Sequence, residues 1–147
     1  MLAIQQCEFA KKMIERPKKV KILNLGDSIN TSFPEYSPFV SVDGTALYFT
    51  SRRSWNEHST VQFKDPSLNN FHEDIYVCYS DEKGGWSKPT RLEFCEDDRN
   101  EASISVSTDE RRFFLYQDDK GNGDIFYTDY NSQDFEDIKP LKIVGVS

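Results

Sequence analysis

Long apolar runs are missing from this 147-residue chain. No stretch approaches the roughly 18 consecutive apolar residues that a membrane-spanning helix needs. The N-terminal MLAIQQCEFAKKM lacks a basic n-region and a sustained apolar core, so it does not read as a signal peptide. If the parent protein is exported, the expectation is that this chain is an internal segment of it. Basic residues are outnumbered, 18 Lys and Arg against 25 Asp and Glu, for a net charge of -7. That balance argues against nucleic acid and anionic membrane surfaces as partners, because phosphate binding needs a net basic face. Lys18-Lys19 and Arg111-Arg112 are only local patches.

Thiols and imidazoles are equally scarce. Cys7, Cys78 and Cys95 cannot all pair within one chain, contain no CxxC, and are not spaced as a zinc site. They read as buried or half-buried thiols, with a Cys78–Cys95 disulfide as the alternative in an oxidising compartment. The two histidines, His58 and His72, fall in one polar stretch. No nucleophile elbow or phosphate-cradling glycine loop accompanies them, so they read as surface side chains. No residue stands out as catalytic.

What the chain has in quantity is aromatic residues: 14%, with 11 Phe and 7 Tyr against only 2 Met. Aromatic side chains suit pleated, half-buried surfaces, and the length suits one ordinary domain with a core of its own. Leu2 to Arg16 reads as a helix, with Ala3, Cys7, Ala10 and Ile14 at steps of four, three and four, stopped by Pro17. Lys18 to Leu25 alternates loosely and is expected to be a strand. From Ile29 onward the pattern is β.

That β region repeats. A shift of 66 residues carries Glu35 onto Glu101, Ser37 onto Ser103, Val40 onto Val106, Ser41 onto Ser107 and Asp43 onto Asp109. The same shift carries Leu47-Tyr48-Phe49 onto Phe113-Phe114-Leu115. Further along, a shift of 50 carries Asp74-Ile75-Tyr76 onto Asp124-Ile125-Phe126, so the first copy holds a 16-residue insertion between Trp55 and His72. Trp86 and Pro89 have looser counterparts in Phe135 and Pro140. Repeats of roughly 40 to 50 residues with four strands each are the mark of propeller blades.

Each copy follows one grammar. The first strand (Pro38 to Val42; Ser103 to Ser107) meets a turn, Asp43-Gly44 in copy one and Asp109-Glu110 in copy two. Asp-Gly favours a tight hairpin because glycine takes positive φ freely, so the second turn, without glycine, is expected to be of another type. A dense second strand (Ala46 to Thr50; Arg112 to Tyr116), a polar loop, a third strand (Asp74 to Tyr79; Asp124 to Tyr130) and a short last strand follow. The last lies after Gly84-Gly85-Trp86 in copy one and around Lys139 to Val144 in copy two. The expected fold is all-β, two four-stranded antiparallel blades of a partial β-propeller behind one short α-helix.

Ile29-Asn30-Thr31, Glu35-Tyr36-Ser37-Pro38, Ser41-Val42-Asp43-Gly44 and the run Leu47 to Arg53 resemble the WD40-like, TolB-like propeller repeat. Asp74-Ile75-Tyr76 and Gly85-Trp86-Ser87-Lys88-Pro89 resemble it too. Copy two keeps Asn100-Glu101, Ser107, Asp109 and Gly123-Asp124-Ile125, but loses the S-P, the D-G and the S-x-R. The helix ending at Pro17, followed by Asn24-Leu25-Gly26, resembles the junction between TPR repeats and the propeller of Gram-negative OmpA-family outer-membrane proteins. The resemblance implies a junction at 1–17, blades at about 29–95 and 96–147, and a periplasmic, outer-membrane-associated location. It carries no peptidoglycan-binding residue onto this chain. Two blades are fewer than a propeller needs, so further blades are expected in cis or from a homo-oligomer.

Binding is expected at the insertion, Ser54 to Phe71 with His72 beside it, where Trp55, His58, Phe63 and His72 are the candidates, because long loops on rigid scaffolds carry function. The expected partner is a protein or a cell-envelope component, in line with the resemblance. Asp118 to Asp129 suggests a weak calcium loop, with Asp118, Asn122 and Asp129 at positions 1, 5 and 12, but Lys120 puts a cation where a carboxylate belongs. No other cofactor is implied. A sialidase-type Asp-box is not matched at Ser80 to Trp86. Asp43, Asp74, Asp109 and Asp124 read as turn formers, and Arg52-Arg53 as partners for acidic loops of a neighbouring blade. The alternatives to a non-catalytic scaffold are a fragment of a propeller-type glycan hydrolase, or a carbohydrate- or calcium-binding module.

Overall fold

The computed structural model of the protein describes residues 2–55, 64–65, 70–119, 122–131 and 133–142. The described residues form one helix, α1 (Leu2–Glu15), and ten strands. These are β1 (Glu35–Val40), β2 (Ala46–Ser51), β3 (Lys64–Asp65), β4 (Asn70–Phe71), β5 (Asp74–Tyr79), β6 (Thr90–Arg91), β7 (Glu101–Val106), β8 (Arg112–Asp119), β9 (Asn122–Asp129) and β10 (Lys139–Pro140). The larger sheets are antiparallel and four-stranded, in the orders β1-β2-β5-β6 and β7-β8-β9-β10. Each is a meander in chain order, and the small β3–β4 hairpin interrupts only the first.

Helix α1 buries no residue, and its Leu2, Ile4, Phe9, Met13 and Ile14 are exposed. The strand expected at Lys18 to Leu25 does not form. Val20 is 75% and Ile22 91% exposed, and alternation without a neighbouring strand leaves the backbone donors and acceptors to water.

Two expectations about turns are corrected. The hairpin after β1 closes with Gly44 N–H donating to the Ser41 carbonyl (2.9 Å), and the hairpin after β7 with Glu110 N–H donating to the Ser107 carbonyl (2.8 Å). Glu110 holds φ +57° where Gly44 holds +76°, so the second turn is of the same kind as the first. In both copies a serine hydroxyl donates to the aspartate two residues on, Ser41 to Asp43 and Ser107 to Asp109, each at 2.6 Å. The aspartate then accepts a backbone N–H from Thr45 or Arg111. These side-chain bonds hold the turn with or without glycine. Asp74 and Asp124, by contrast, are no turn formers: Asp124 lies inside β9, paired with Gln117, and Asp74 begins β5, buried, and accepts from Arg91 Nε at 2.8 Å.

The sheets pack face to face in register with the repeat. Ala46, Ile75 and Val77 of the first sheet form one core with Phe113 and Leu115 of the second, closed by Leu92 and Cys95. Opposite that face, Leu47, Phe49, Tyr76 and Cys78 are buried under Ile29, with Trp86 beside them. Strand β5 is buried at five consecutive positions, whereas β8 alternates half-buried and buried from Arg112 to Asp118. Among the described residues, the first sheet is therefore covered on both faces and the second on one. At the seam, Thr50 Oγ1 accepts the Ser103 N–H (2.9 Å), and the Ser103 hydroxyl donates to the Ser37 carbonyl (2.9 Å). Ser37 (φ +50°) is the bulge of β1, whose edge position also accommodates Pro38.

Candidate functional site

Trp55 is 41% exposed and stacks against the guanidinium of Arg91, 4.9 Å from the ring centroid. His72 is half-buried, with Nδ1 shut away from solvent and without a hydrogen-bond partner among the described residues. His58 and Phe63 lie outside the described residues.

Beside Trp55 opens a cleft of about 580 Å³ whose walls include Phe33, Tyr76, Arg53, Lys88 and Asp27. Arg53 builds its floor. The guanidinium donates to the carbonyls of Ser28 (2.8 Å) and Ile29 (2.6 Å) and to Glu35 (3.2 Å), and it lies over the rings of Phe49 and Tyr76. Arg52 pairs with Glu73. Both arginines thus find their acids within the first repeat, correcting the expectation of a neighbouring blade. The cleft offers aromatic walls, two cations and one carboxylate, a set suited to stacking and ion pairing.

The calcium expectation requires Asp118, Asn122 and Asp129 to converge; Asn122, opposite Asp119, stays at the Asp118 end of the hairpin, but Asp129 does not. Asp118 pairs across β8–β9 with Gly123, and Asp129 with Arg112, so the two aspartates stand at opposite ends of the hairpin. Six rungs of a strand span roughly 20 Å. Asp118 accepts from Asn100 at 3.0 and 3.1 Å; Asp129 is engaged by Arg112 at 2.7 Å, which holds its carboxyl below the usual carboxylate range. Gly123 lies under the ring of Tyr116, where a Cβ would collide, so its glycine answers to that close approach rather than to a metal loop.

The second opening, about 740 Å³, runs between β6 with the loop after it and the segment Gln133 to Ile138 that precedes β10. Phe94, Phe126 and Phe135 line it with Arg91, Glu96 and Gln117. Phe135 meets Phe94 edge-on at 5.3 Å and Phe113 at 5.8 Å, which fixes the apolar wall.

Next to this groove, Asp74, Cys95 and Glu101 come together from β5, the loop after β6, and β7. One oxygen of each acid and the Cys95 sulfur lie within 4.8 Å of one another, and all three residues are buried. Burial pushes the Asp74 carboxyl up to about 6, with Arg91 pulling the other way. It pushes Glu101 to about 7 against the opposing hydrogen bonds from Gln117 and the Glu96 N–H, and it drives the Cys95 thiol well upward. Both inner cysteines are free thiols on different cores, Cys78 donating to Leu47 O and Cys95 to Ile75 O, so the disulfide alternative does not form. No spacing marks this cluster in the sequence, because Asp74 and Cys95 belong to the first repeat and Glu101 to the second. One signal was present: the second copy loses the S-x-R that supplies Glu35, the counterpart of Glu101, with an arginine.

No family model matches the chain, and no curated protein or solved structure matches it either.

Proposed function

We propose that this chain is a non-catalytic segment of a β-propeller, two blades that present a binding surface to a protein or cell-envelope component. The observation that carries the reading is the way equivalent faces are used. Tyr48, Thr50, Ile75 and Val77 of the first sheet are covered by the second. Their counterparts by repeat position, Phe114, Tyr116, Ile125 and Tyr127, occupy the open face of the second sheet, with Ile125 43% exposed. An aromatic sheet face left partly open is a surface for association, and a further blade of the same type fits it by the contact already made once in the chain. The resemblance to WD40-like, TolB-like repeats supports the same reading. It is also the ground for a periplasmic, outer-membrane-associated, OmpA-family setting.

The test is the absolute mass of the purified chain by size-exclusion chromatography with light scattering, together with binding of a hydrophobic dye. A discrete oligomer lost in Ile125→Lys means that copies supply each other's blades. A monomer that binds dye through the same face, and less so as Ile125→Lys, places the further blades in cis. A monomer that leaves the dye unbound would sink the stacking reading.

A second reading, a carbohydrate-binding module, has exposed Trp55 at the mouth of its cleft in its favour. Tryptophan fluorescence titrated with glycan fragments tests it; a response that survives Trp55→Ala rejects it.

A further inference from the structure

We propose that Asp74, Cys95 and Glu101 form a buried site for a thiophilic divalent cation, zinc foremost, between the two sheets. This goes beyond the scaffold reading and does not depend on it. The three donors lie within 4.8 Å of one another. Zinc bonds of about 2.0 to 2.3 Å in a tetrahedron place donors roughly 3.5 Å apart, so the donors need to close by about 1 Å. Three protein donors leave a fourth position for water.

An orphan atom points independently to a cation. Glu101 is 0% exposed; its Oε1 accepts from Gln117 Nε2 (3.1 Å) and from the Glu96 N–H (3.3 Å), while Oε2 is buried without a partner among the described residues. Leaving a carboxylate oxygen in that state is costly. The repeat shows how the same problem is solved elsewhere. Glu35, its counterpart, takes hydrogen bonds from Thr31, Ser51 and Arg53. In the second copy Gln117 stands at the Ser51 position and Asp119 at the Arg53 position, so the arginine is gone. A metal ion supplies the positive charge that Arg53 supplies in the first copy.

Charge bookkeeping closes. A dication with two carboxylates, one thiolate and the adjoining Arg91 guanidinium sums to zero. Binding forms one metal–sulfur and two metal–oxygen bonds. It releases to solvent the Cys95 thiol proton and any proton held on the carboxyls. The Ile75 N–H, 3.4 Å from Cys95 Sγ, is placed to donate to the thiolate. Arg91, Glu96 and Gln117 line the 740 Å³ groove and also touch the acids of the cluster, which gives the ion an entry path.

The experiment titrates the full chain, as Cys7→Ser to remove the exposed thiol, with Co²⁺ alone. The expected result is a thiolate-to-cobalt charge-transfer band, intense tetrahedral d–d bands, and displacement of both by one equivalent of Zn²⁺. Cys78→Ser retains the bands, Cys95→Ser abolishes the charge transfer, and Glu101→Gln, which keeps the side-chain shape, weakens binding about tenfold or more. Absence of the charge-transfer band in the folded parent overturns the proposal. So does its persistence in Cys95→Ser. Should Cys95→Ser not fold, unchanged affinity in Glu101→Gln overturns it equally.

Discussion

Thr50 and Ser103, on β2 and β7, close a ring of hydrogen bonds in the buried seam between the sheets. Ser103 N–H donates to Thr50 Oγ1 at 2.9 Å, and the hydroxyls lie 3.0 Å apart. Because the Ser103 proton is spent on the Ser37 carbonyl (2.9 Å), Thr50 is the donor of the hydroxyl pair. Thr50→Val keeps the shape and strands a buried N–H. It is expected to cost about 1 to 3 kcal/mol, read as a lower urea midpoint with unchanged slope. An unchanged midpoint would show that the seam is held by apolar contact alone.

Arg53 is expected not to tolerate lysine. One guanidinium spans the carbonyls of Ser28 and Ile29, Ser51 Oγ and Glu35, a fork that an ammonium cannot reproduce. Arg53→Lys should destabilise by about 1.5 to 3 kcal/mol. It should also raise hydrogen exchange in residues 26–31, which lie over the first sheet. Exchange rates that stay put would place the tether elsewhere.

Stability in the presence of a chelator should fall as pH rises. Burial holds Glu101 at about 7 against an ordinary 4.5, and Asp74 at about 6 against 3.8. The folded chain therefore binds more protons than the unfolded one between these limits. The contribution is fully present below the unfolded values and lost as pH climbs through the folded ones, about 3 kcal/mol for Glu101 alone. Chemical denaturation at pH 5 and pH 8 measures the drop, and Glu101→Gln should flatten it. An equal drop in that variant assigns the effect to other groups.

Calcium at millimolar concentration should leave the melting temperature unchanged, because Asp118 and Asp129 are at opposite ends of β8–β9. A rise in melting temperature that Asp118→Ala removes would contradict this hairpin.

Much of the architecture was legible because local rules and the repeat agree. β5 was read from Asp74-Ile75-Tyr76 to the residue, and Leu2 to Arg16 was read within one position of α1. The first strands were placed late, at Pro38 and Ser103, because an irregularity in each, between Tyr36 and Phe39 and between Ser103 and Ser105, breaks the alternation that marks a strand. Lys18 to Leu25 misled because alternation says nothing about whether a neighbouring strand exists. The Trp55 cleft was half-legible: the insertion marked one wall, whereas Asp27, Phe33 and Lys88 arrive from elsewhere in the chain. Asp74, Cys95 and Glu101 carried no spacing signal, since their proximity is created by the packing of one sheet on the other.

Gly44 and Glu110 share one turn, and that bears on how such repeats drift beyond detection. The bonds from Ser41 to Asp43 and from Ser107 to Asp109 survive the loss of glycine, and Glu110 has taken up a link of its own to the Val42 N–H. A search keyed to Asp-Gly, the most visible letter pair of the first copy, passes over the second. A search keyed to Ser-x-Asp, five residues before a dense aromatic run, finds both. The glycine is therefore dispensable to this turn, while the serine and the aspartate are what the two copies share.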